Sequence, residues 1–223
     1  MASLVPATLA ECSGHITNEG KPRVSIYELK PRFQALLRPL VGRLHAMGIT
    51  ANQVTLAACV VSVALGLWLF FAAPSLSAFA LIPAWMFVRM AFNAIDGMLA
   101  REHGQQSKLG AFLNELTDVV SDAALYLPFA LVQPFSPFWV GMVIMLAGLS
   151  EFAGALGPTV GASRRYDGPL GKSDRAFVFS ALGLYVALGW PLPGWTAWLM
   201  PLLAALVAWT VANRVRRALA EAA

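Results

Sequence analysis

Charged side chains lie at the C-terminal end of one apolar segment of the chain and at the N-terminal end of the next. Asp96, Arg101, Glu115 and Asp118 all lie within "NAIDGMLAREHGQQSKLGAFLNELTD", residues 93–118. An ionisable group at the depth of a lipid bilayer is expensive, so a protein that keeps one there usually uses it. Clustered carboxylate and amide oxygens suit hard cations such as Mg²⁺ or Mn²⁺, especially where phosphates complete the coordination shell. The pattern therefore predicts a divalent-metal site for a phosphorylated ligand.

Helical spacing divides these polar groups into two stripes. Asn93 and Asp96 continue a stripe that begins at Arg89, and the second stripe repeats at every fourth residue from 114 to 122. Residues at such steps share one face of an α-helix. The short polar connector makes the two helices antiparallel neighbours, so we expect the stripes to face each other. The metal ligands predicted from them are Asn93, Asp96, Asn114, Asp118 and Asp122.

Each feature also has a plainer interpretation. The carboxylates could form an interhelical salt-bridge network with Arg89 or Arg101. Gly97 and Gly110 stand at helix ends, where a missing side chain lets a bulky ligand reach the backbone, but small residues also allow helices to pack closely. The sequence has no His/Cys spacing for zinc, no Walker loop and no dinucleotide fingerprint, which leaves oxygen ligands as the main chemistry.

The helices that position these residues are those of an integral membrane protein. Of the 223 residues, 58% are hydrophobic and 13% are charged, compared with about a quarter charged in soluble domains. Because isolated strands cannot cross lipid, we predict an all-α fold. Six apolar stretches approach the roughly 20 residues that a spanning helix needs, at Val54–Ala73, Ser77–Leu99, Leu109–Leu131, Pro137–Val160, Ala176–Trp190 and Trp195–Asn213.

Charge placement predicts the orientation of these helices. The connectors "APSL", "VQPFSP" and "PLPG" are uncharged, whereas "REHGQQSK", "RRYDGPLGKSDR" and the final "NRVRRALAEAA" carry the Lys and Arg residues. The positive-inside rule places the charged ends, and with them both termini and the metal site, on the cytoplasmic side. We therefore expect a multi-pass inner-membrane protein with its site near the cytosolic face.

An amphipathic helix is predicted before the six spans, at residues 25–49, and Gly48 and Thr50 lie at its junction with the first span. Gly48 is predicted to end that helix and Thr50 to cap the next one. The amphipathic helix either lies in the membrane interface or packs on its own protein. The predicted segments are a flexible cytosolic tail at 1–24, the amphipathic helix at 25–49, the six-helix transmembrane domain at 50–213 and a basic cytosolic tail at 214–223.

The motif resembles the signature of the CDP-alcohol phosphotransferase family, membrane enzymes of phospholipid synthesis. That signature reads D-x2-D-G-x2-A-R-x8-G-x3-D-x3-D, and the resemblance extends to the six-helix layout and to "GITANQVTL" before the first span. Its first and third aspartates fall on Asn93 and Asn114, which keep an oxygen ligand but bring no charge. This departure predicts weaker metal binding and favours one tightly held ion. The matching positions are Asp96, Gly97, Ala100, Arg101, Gly110 and Asp118.

The resemblance implies that a phosphatidyl group moves from CDP-diacylglycerol to a small polar alcohol with release of CMP, using Mg²⁺ or Mn²⁺. It assigns Asp118 as the general base and implies contact with membrane lipid and a homodimer, while no nucleic-acid partner is expected. One alternative is a non-catalytic relative that binds CDP-lipid or scaffolds membrane partners. A transporter is less consistent, because the sequence shows no inverted repeat. The nucleotide would lie along Gly97, Ala100, Arg101 and Gly110.

A basic connector after the fourth span predicts an acceptor site. Its four cations would suit a phosphorylated alcohol such as glycerol 3-phosphate or an inositol phosphate. The alternative is that they only enforce topology and touch lipid headgroups. Glu151, deep in the fourth span, should face the same polar cavity, with Arg89 as a candidate partner. The predicted acceptor-binding residues are Arg164, Arg165, Lys172 and Arg175.

Overall fold

A computed structural model describes residues 26–72 and 75–223, and these ranges are helical, without a β-strand. The tail predicted at residues 1–24 and the first span's predicted end at Ala73 lie outside the described residues. The α-helices of the described chain are α1 Ile26–Ala46, α2 Ala51–Ala72, α3 Leu81–Glu102, α4 Lys108–Tyr126, α5 Pro137–Ala155, α6 Lys172–Ala187 and α7 Leu199–Ala222. Short 3-10 segments lie at Leu76–Ala80, Leu127–Leu131, Gly157–Val160 and Gly194–Trp198.

Four segments of the described chain are long and apolar enough to cross a membrane. Helices α4 and α6 are the other two predicted spans. Helix α4 carries three carboxylates within its residues 115–122, and α6 has 16 residues, about 24 Å at the usual helical rise. The membrane-protein class is supported, while six crossings remain a prediction. The four segments are Ala51–Ala72, Leu76–Glu102, Pro137–Ala155 and Gly194–Ala222.

Helix α1 combines both interpretations of its amphipathic pattern. Val41 is fully buried against α2 and α3, whereas Leu36 and Leu40 are exposed. The Arg38 guanidinium donates to both carboxylate oxygens of Glu102 at the end of α3, at 2.9 and 3.2 Å. This carboxylate raises the pKa of Arg38 above its ordinary value. One side of α1 therefore packs on the protein, and another side presents leucines to the surroundings.

The turn between α1 and α2 forms as the sequence predicts. Gly48 adopts the left-handed conformation, with φ of +76°, which ends α1. Thr50 then caps α2 in a reciprocal arrangement with Gln53. The Gln53 N–H donates to Thr50 Oγ1 at 3.3 Å, and the Thr50 N–H donates to Gln53 Oε1 at 2.9 Å. The cap fixes the start of α2 beside the predicted site.

Helices α2 and α4 approach each other closely, because a Cβ on Gly66 would lie 2.1 Å from the carbonyl oxygen of Ala124. Around this contact the core is apolar, and it includes the stacked rings of Tyr126 and Phe179, whose centroids are 3.8 Å apart. The core lies mainly toward the uncharged connectors. The opposite end of the bundle is left for the polar residues.

The charged connectors meet at that opposite end. The Ala51 N–H at the start of α2 donates to Gln105 Oε1 at 2.7 Å, and the Ser163 N–H donates to Glu221 Oε1 at 2.8 Å. The α3–α4 connector thus contacts α2, and the α5–α6 connector contacts α7. Helix α7 itself continues to Ala222, so all but the last residue of the segment predicted as a basic tail, 214–223, are helical.

Candidate active site

A cavity of about 640 Å³ opens between α2, α3 and α4 at the charged end of the bundle. The two polar stripes supply opposite walls of this cavity, as helical spacing predicts. Lys172 of α6 also reaches it. The predicted site residues that line it are Asn93, Asp96, Gly97, Ala100, Arg101, Gly110, Asn114, Asp118 and Lys172.

Asp96 is a buried carboxylate on the α3 wall, with 7% of its surface exposed. Its Oδ2 accepts a hydrogen bond from Thr55 Oγ1 of α2 at 2.8 Å. The ion pairs of the described chain give Asp96 no cationic partner, unlike the other buried carboxylates Asp122 and Glu151. Because a buried charge is costly without a counter-charge, this carboxylate fits a cation bound in the cavity.

Asp118 on the α4 wall is held by two cations. Arg89 Nη2 donates to its Oδ1 at 2.9 Å and to its backbone oxygen at 3.2 Å. Lys172 of α6 forms an ion pair with Oδ2. Both carboxylate oxygens therefore have a defined orientation, and Asp118 lines the same cavity as Asp96.

Asn93 and Asn114 complete the polar wall with neutral oxygens. Both line the cavity, and among the described residues neither amide has a hydrogen-bond partner. No three His, Cys, Asp or Glu side chains of the described chain lie close enough to hold a metal by themselves. A divalent ion here would need the two amide oxygens or substrate phosphates beside Asp96 and Asp118, a donor set that suits Mg²⁺ or Mn²⁺.

Asp122 does not line the cavity, although the stripe on α4 predicts it as a fifth ligand. It is 4% exposed, and its Oδ1 accepts from Arg89 Nη1 at 2.5 Å. Arg175 Nη2 lies 3.8 Å from the other oxygen. One helical turn places Asp122 below the cavity floor, among the arginines, so its role is that of their counter-charge.

The two glycines and Arg101 form the outer wall of the cavity. A Cβ on Gly97 would lie 2.8 Å from Nη2 of Arg101, and a Cβ on Gly110 would lie 2.9 Å from Oδ1 of Asn52. Ser107 caps α4 by accepting from the Gly110 N–H at 2.9 Å. The glycines thus let the side chains of Arg101 and Asn52 lie close to the helix backbone at the cavity wall.

A second cavity, of about 400 Å³, adjoins the first and shares Asn114, Glu115, Asp118 and Lys172 with it. Of the four predicted acceptor-binding cations, Lys172 and Arg164 line this second cavity. Arg164 is engaged by Glu115, which accepts from both of its Nη atoms.

The other two predicted acceptor cations lie elsewhere. Arg165 donates from Nε to Asp167 Oδ2 at 2.8 Å and forms an ion pair with Glu221. Arg175 is 1% exposed and donates to Glu151 Oε1 at 2.9 Å. Within the described chain, both residues are structural and lie outside the linings of the two cavities.

The predicted pairing of Glu151 with Arg89 is wrong. Glu151 instead contacts Arg175, at 2.9 Å, and Arg214 of α7, at 3.5 Å. The sequence predicts Arg214 in the basic tail, yet it is 2% exposed and lines the second cavity. Arg214 reaches the second cavity because α7 continues as a helix to Ala222.

Sequence reasoning also missed the wall that α2 contributes. Ala51, Asn52 and Thr55 all line the first cavity, and Thr55 contacts Asp96 directly. The signal was present in "GITANQVTL", where a cap is followed by polar residues on one face. Gln105 of the α3–α4 connector also lines the cavity.

The sequence profile of CDP-alcohol phosphatidyltransferases matches residues 48–212, which is most of the chain. This chain belongs to the CDP-alcohol phosphatidyltransferase family. The predicted family and enzyme class are confirmed, and the matched region contains both walls of the first cavity. The role of each residue in this CDP-alcohol phosphatidyltransferase, including the two asparagines, remains a prediction.

Two curated relatives resemble this CDP-alcohol phosphatidyltransferase in sequence. The inner membrane protein YnbA of Escherichia coli K12 is 45% identical over 199 residues, covering 88% of this chain and 97% of that protein. The archaetidylinositol phosphate synthase of Pyrococcus horikoshii is 30% identical over 104 residues, covering 47% of this chain and 53% of that protein.

The fold is shared with crystal structures of the phosphatidylinositol phosphate synthase of Mycobacterium tuberculosis. The structure with CDP-DAG bound gives a TM-score of 0.68 at 23% identity, covering 81% of this chain and 92% of that one. The structure in complex with manganese and citrate gives a TM-score of 0.67 at 23% identity, covering 81% and 87%. Similarity at this level shows that the two proteins share a fold.

Proposed function

We propose that this enzyme transfers a phosphatidyl group from CDP-diacylglycerol to the hydroxyl of a small polar alcohol and releases CMP. The observation that supports this most strongly is the buried carboxylate of Asp96, which has no ion-pair partner among the described residues and lines a cavity of about 640 Å³ together with Asp118. The M. tuberculosis synthase of similar fold binds CDP-DAG, which makes a CDP-lipid donor reasonable here. The CMP part would lie along Gly97, Ala100, Arg101 and Gly110, which line the cavity.

In the proposed reaction, the acceptor oxygen forms a bond to the phosphorus of the phosphatidyl group. The bond from that phosphorus to the oxygen of CMP breaks, and its electron pair leaves with CMP. The acceptor's proton passes to the carboxylate of Asp118, which acts as the general base. Arg89 holds that carboxylate in place through the contact at 2.9 Å, so the proton acceptor is fixed before substrate arrives.

Mg²⁺ or Mn²⁺ fits the donor set of the first cavity. Asp96 and Asp118 would hold the ion together with the amide oxygens of Asn93 and Asn114. When bound, the ion would neutralise the pyrophosphate oxygens and the leaving CMP. The synthase of similar fold has been crystallised with manganese, which supports the same class of ion here.

We further propose that the helices α2 to α7 cross the inner membrane six times, with both termini and the two cavities at the cytosolic face. The basic connectors all gather at the cavity end, which the positive-inside rule assigns to the cytosol. The relative YnbA is named as an inner membrane protein. The family resemblance also favours a homodimer, which cross-linking in native membranes tests.

A second candidate is a non-catalytic family member that binds CDP-lipid. It is favoured because, among the described residues, no three His, Cys, Asp or Glu side chains lie close enough together to hold a metal ion by themselves. Product analysis separates the two: the purified protein is mixed with CDP-diacylglycerol, Mn²⁺ and a pool of alcohols, and lipids are followed by mass spectrometry. A new phospholipid with stoichiometric CMP supports the enzyme, whereas CDP-lipid binding without turnover supports the second candidate.

A further inference from the structure

The charges of the second cavity bear on which alcohol it accepts. Four carboxylates and three cations line it, so the formal charge of the lining is −4 + 3, or −1, before any ligand binds. This balance differs from the basic surface that the connector's sequence suggests. The charged lining residues are Glu115, Asp118, Glu151, Asp174, Arg164, Lys172 and Arg214.

Each cation in that lining already has a carboxylate partner. Arg164 uses both Nη atoms on the two oxygens of Glu115 and lies over the Tyr166 ring, 5.1 Å from its centroid. Lys172 is paired with Asp118. Arg214 Nη1 lies 3.5 Å from Glu151 and also donates to a backbone oxygen. The guanidinium forks that would receive a phosphate are therefore occupied.

A phosphate monoester would fit this cavity poorly. It carries between one and two negative charges at neutral pH, about −1.5 to −2 for phosphorylated side chains, and is normally bound by Arg or Lys donors that are free to reach it. Here it would have to take Arg164 from Glu115, which would be left without a counter-charge. Lys172 and Arg214 would have to leave Asp118 and Glu151, which Arg89 and Arg175 also hold. A hydroxyl or an ammonium group can bind without taking a cation away from a carboxylate.

Release of Lys172 does not change this conclusion. If Asp118 turned to a metal ion, Lys172 would become free, but Asp174 lies on the same first turn of α6. Its Oδ2 accepts from the Gly171 N–H at 2.9 Å, and within the described chain it has no cationic partner. One released ammonium beside one unpaired carboxylate leaves no net positive charge for a phosphate.

We infer that the acceptor is an alcohol without a phosphate group, such as a neutral polyol or an amino alcohol, and that Asp174 is the carboxylate of the second cavity that is left to bind it. This inference rests on the proposed transferase function and names its substrate class. It replaces the phosphorylated acceptor that the four basic residues of the connector predict from sequence. The ion pair between Arg164 and Glu115 is the specificity-determining contact, because it occupies the most accessible guanidinium of the lining.

The test compares two acceptor sets with the full-length protein in detergent, CDP-diacylglycerol and Mn²⁺. One set contains glycerol, inositol, serine and ethanolamine, and the other contains glycerol 3-phosphate and inositol phosphate. We expect CMP release to be about tenfold or more faster with the first set, because phosphate would leave buried groups unpaired. CMP release supported only by the phosphorylated set overturns this inference and leaves the transferase function intact. No CMP from either set overturns both.

Two matched variants test the ion pair itself. Glu115→Gln keeps the size of the side chain but frees Arg164, so turnover of phosphorylated acceptors should rise, with KM falling about tenfold. Glu221→Gln removes one of the two carboxylate partners of Arg165, which lies outside both cavities of the described chain, and should leave the acceptor preference of the wild type. If the two variants show the same preference, the charge balance does not select the acceptor and the inference fails.

Discussion

Arg89 donates from one nitrogen to both the carboxylate and the backbone oxygen of Asp118, at 2.9 and 3.2 Å. This double contact joins α3 to α4 beneath the first cavity and fixes the side chain proposed as the general base. The second Nη of Arg89 is satisfied by Asp122, so the guanidinium cannot easily move. Arg89 is therefore a positioning residue, since its contacts are with Asp118 and Asp122 beneath the cavity.

The Arg89→Lys variant should separate positioning from binding. A lysine keeps the charge but cannot reach Asp118 and Asp122 together, so kcat should fall about 10- to 100-fold through misplacement of the base. The KM for the acceptor should change little. Steady-state kinetics check this, and the melting temperature of the variant reports any loss of fold. A raised KM with unchanged kcat would instead assign Arg89 to substrate binding.

Asp96→Asn and Asp118→Asn should each abolish turnover. The first removes the one buried carboxylate that has no ion-pair partner among the described residues, and the second removes the proposed base, worth about 10²–10⁴ in rate. CMP release is the measurement. Glu102→Gln is the control, because Glu102 is an exposed carboxylate at the same end of the bundle that pairs with Arg38. Full activity in both aspartate variants would disprove the site assignment.

Thr55→Val should weaken metal binding while the fold is kept. The substitution removes the hydroxyl that donates to Asp96 at 2.8 Å, and loss of such a supporting contact typically costs 10- to 100-fold in metal affinity. Thr117→Val is the matched control, since Thr117 is equally buried and donates only to α4 backbone oxygens. Mn²⁺ titration followed by electron paramagnetic resonance distinguishes them. Equal Mn²⁺ affinity in the two variants would count against Asp96 as a ligand.

Asn93→Asp and Asn114→Asp together should tighten metal binding. Each adds a carboxylate to a cavity wall that now offers a neutral amide, and ligand charge is a main determinant of affinity for hard cations. We expect the Mn²⁺ dissociation constant to fall by about tenfold or more, with a second ion bound at saturation. Isothermal titration calorimetry gives both the affinity and the stoichiometry. Unchanged affinity would place the two amides outside the coordination shell.

Helical periodicity predicted the first cavity well, because spacing alone decides which residues share a face. Asn93 and Asp96 on α3, and Asn114 and Asp118 on α4, line one cavity as the stripes require. The same rule failed for Asp122, which shares the stripe but lies one turn deeper. Depth along a helix depends on how far the neighbouring helices cover it, and the sequence does not contain that information.

The sequence did not predict which residues pair with each other in the ion pairs. Glu151 was expected beside Arg89, but it is bound by Arg175 and Arg214 from α6 and α7. Four basic residues in one connector looked alike, yet two are structural and two line a cavity. Which carboxylate each cation meets depends on contacts between residues tens of positions apart, and no local pattern encodes those contacts.

The most direct measurement is the initial rate of CMP release from CDP-diacylglycerol by the purified protein, with Mn²⁺ or Mg²⁺ and with a chelator, beside the Asp96→Asn variant. We predict release in the wild type that requires the metal and is lost both in chelator and in the variant. Metal-independent release, or equal release by the variant, would contradict the assignment of the first cavity as a metal-dependent phosphatidyl-transfer site.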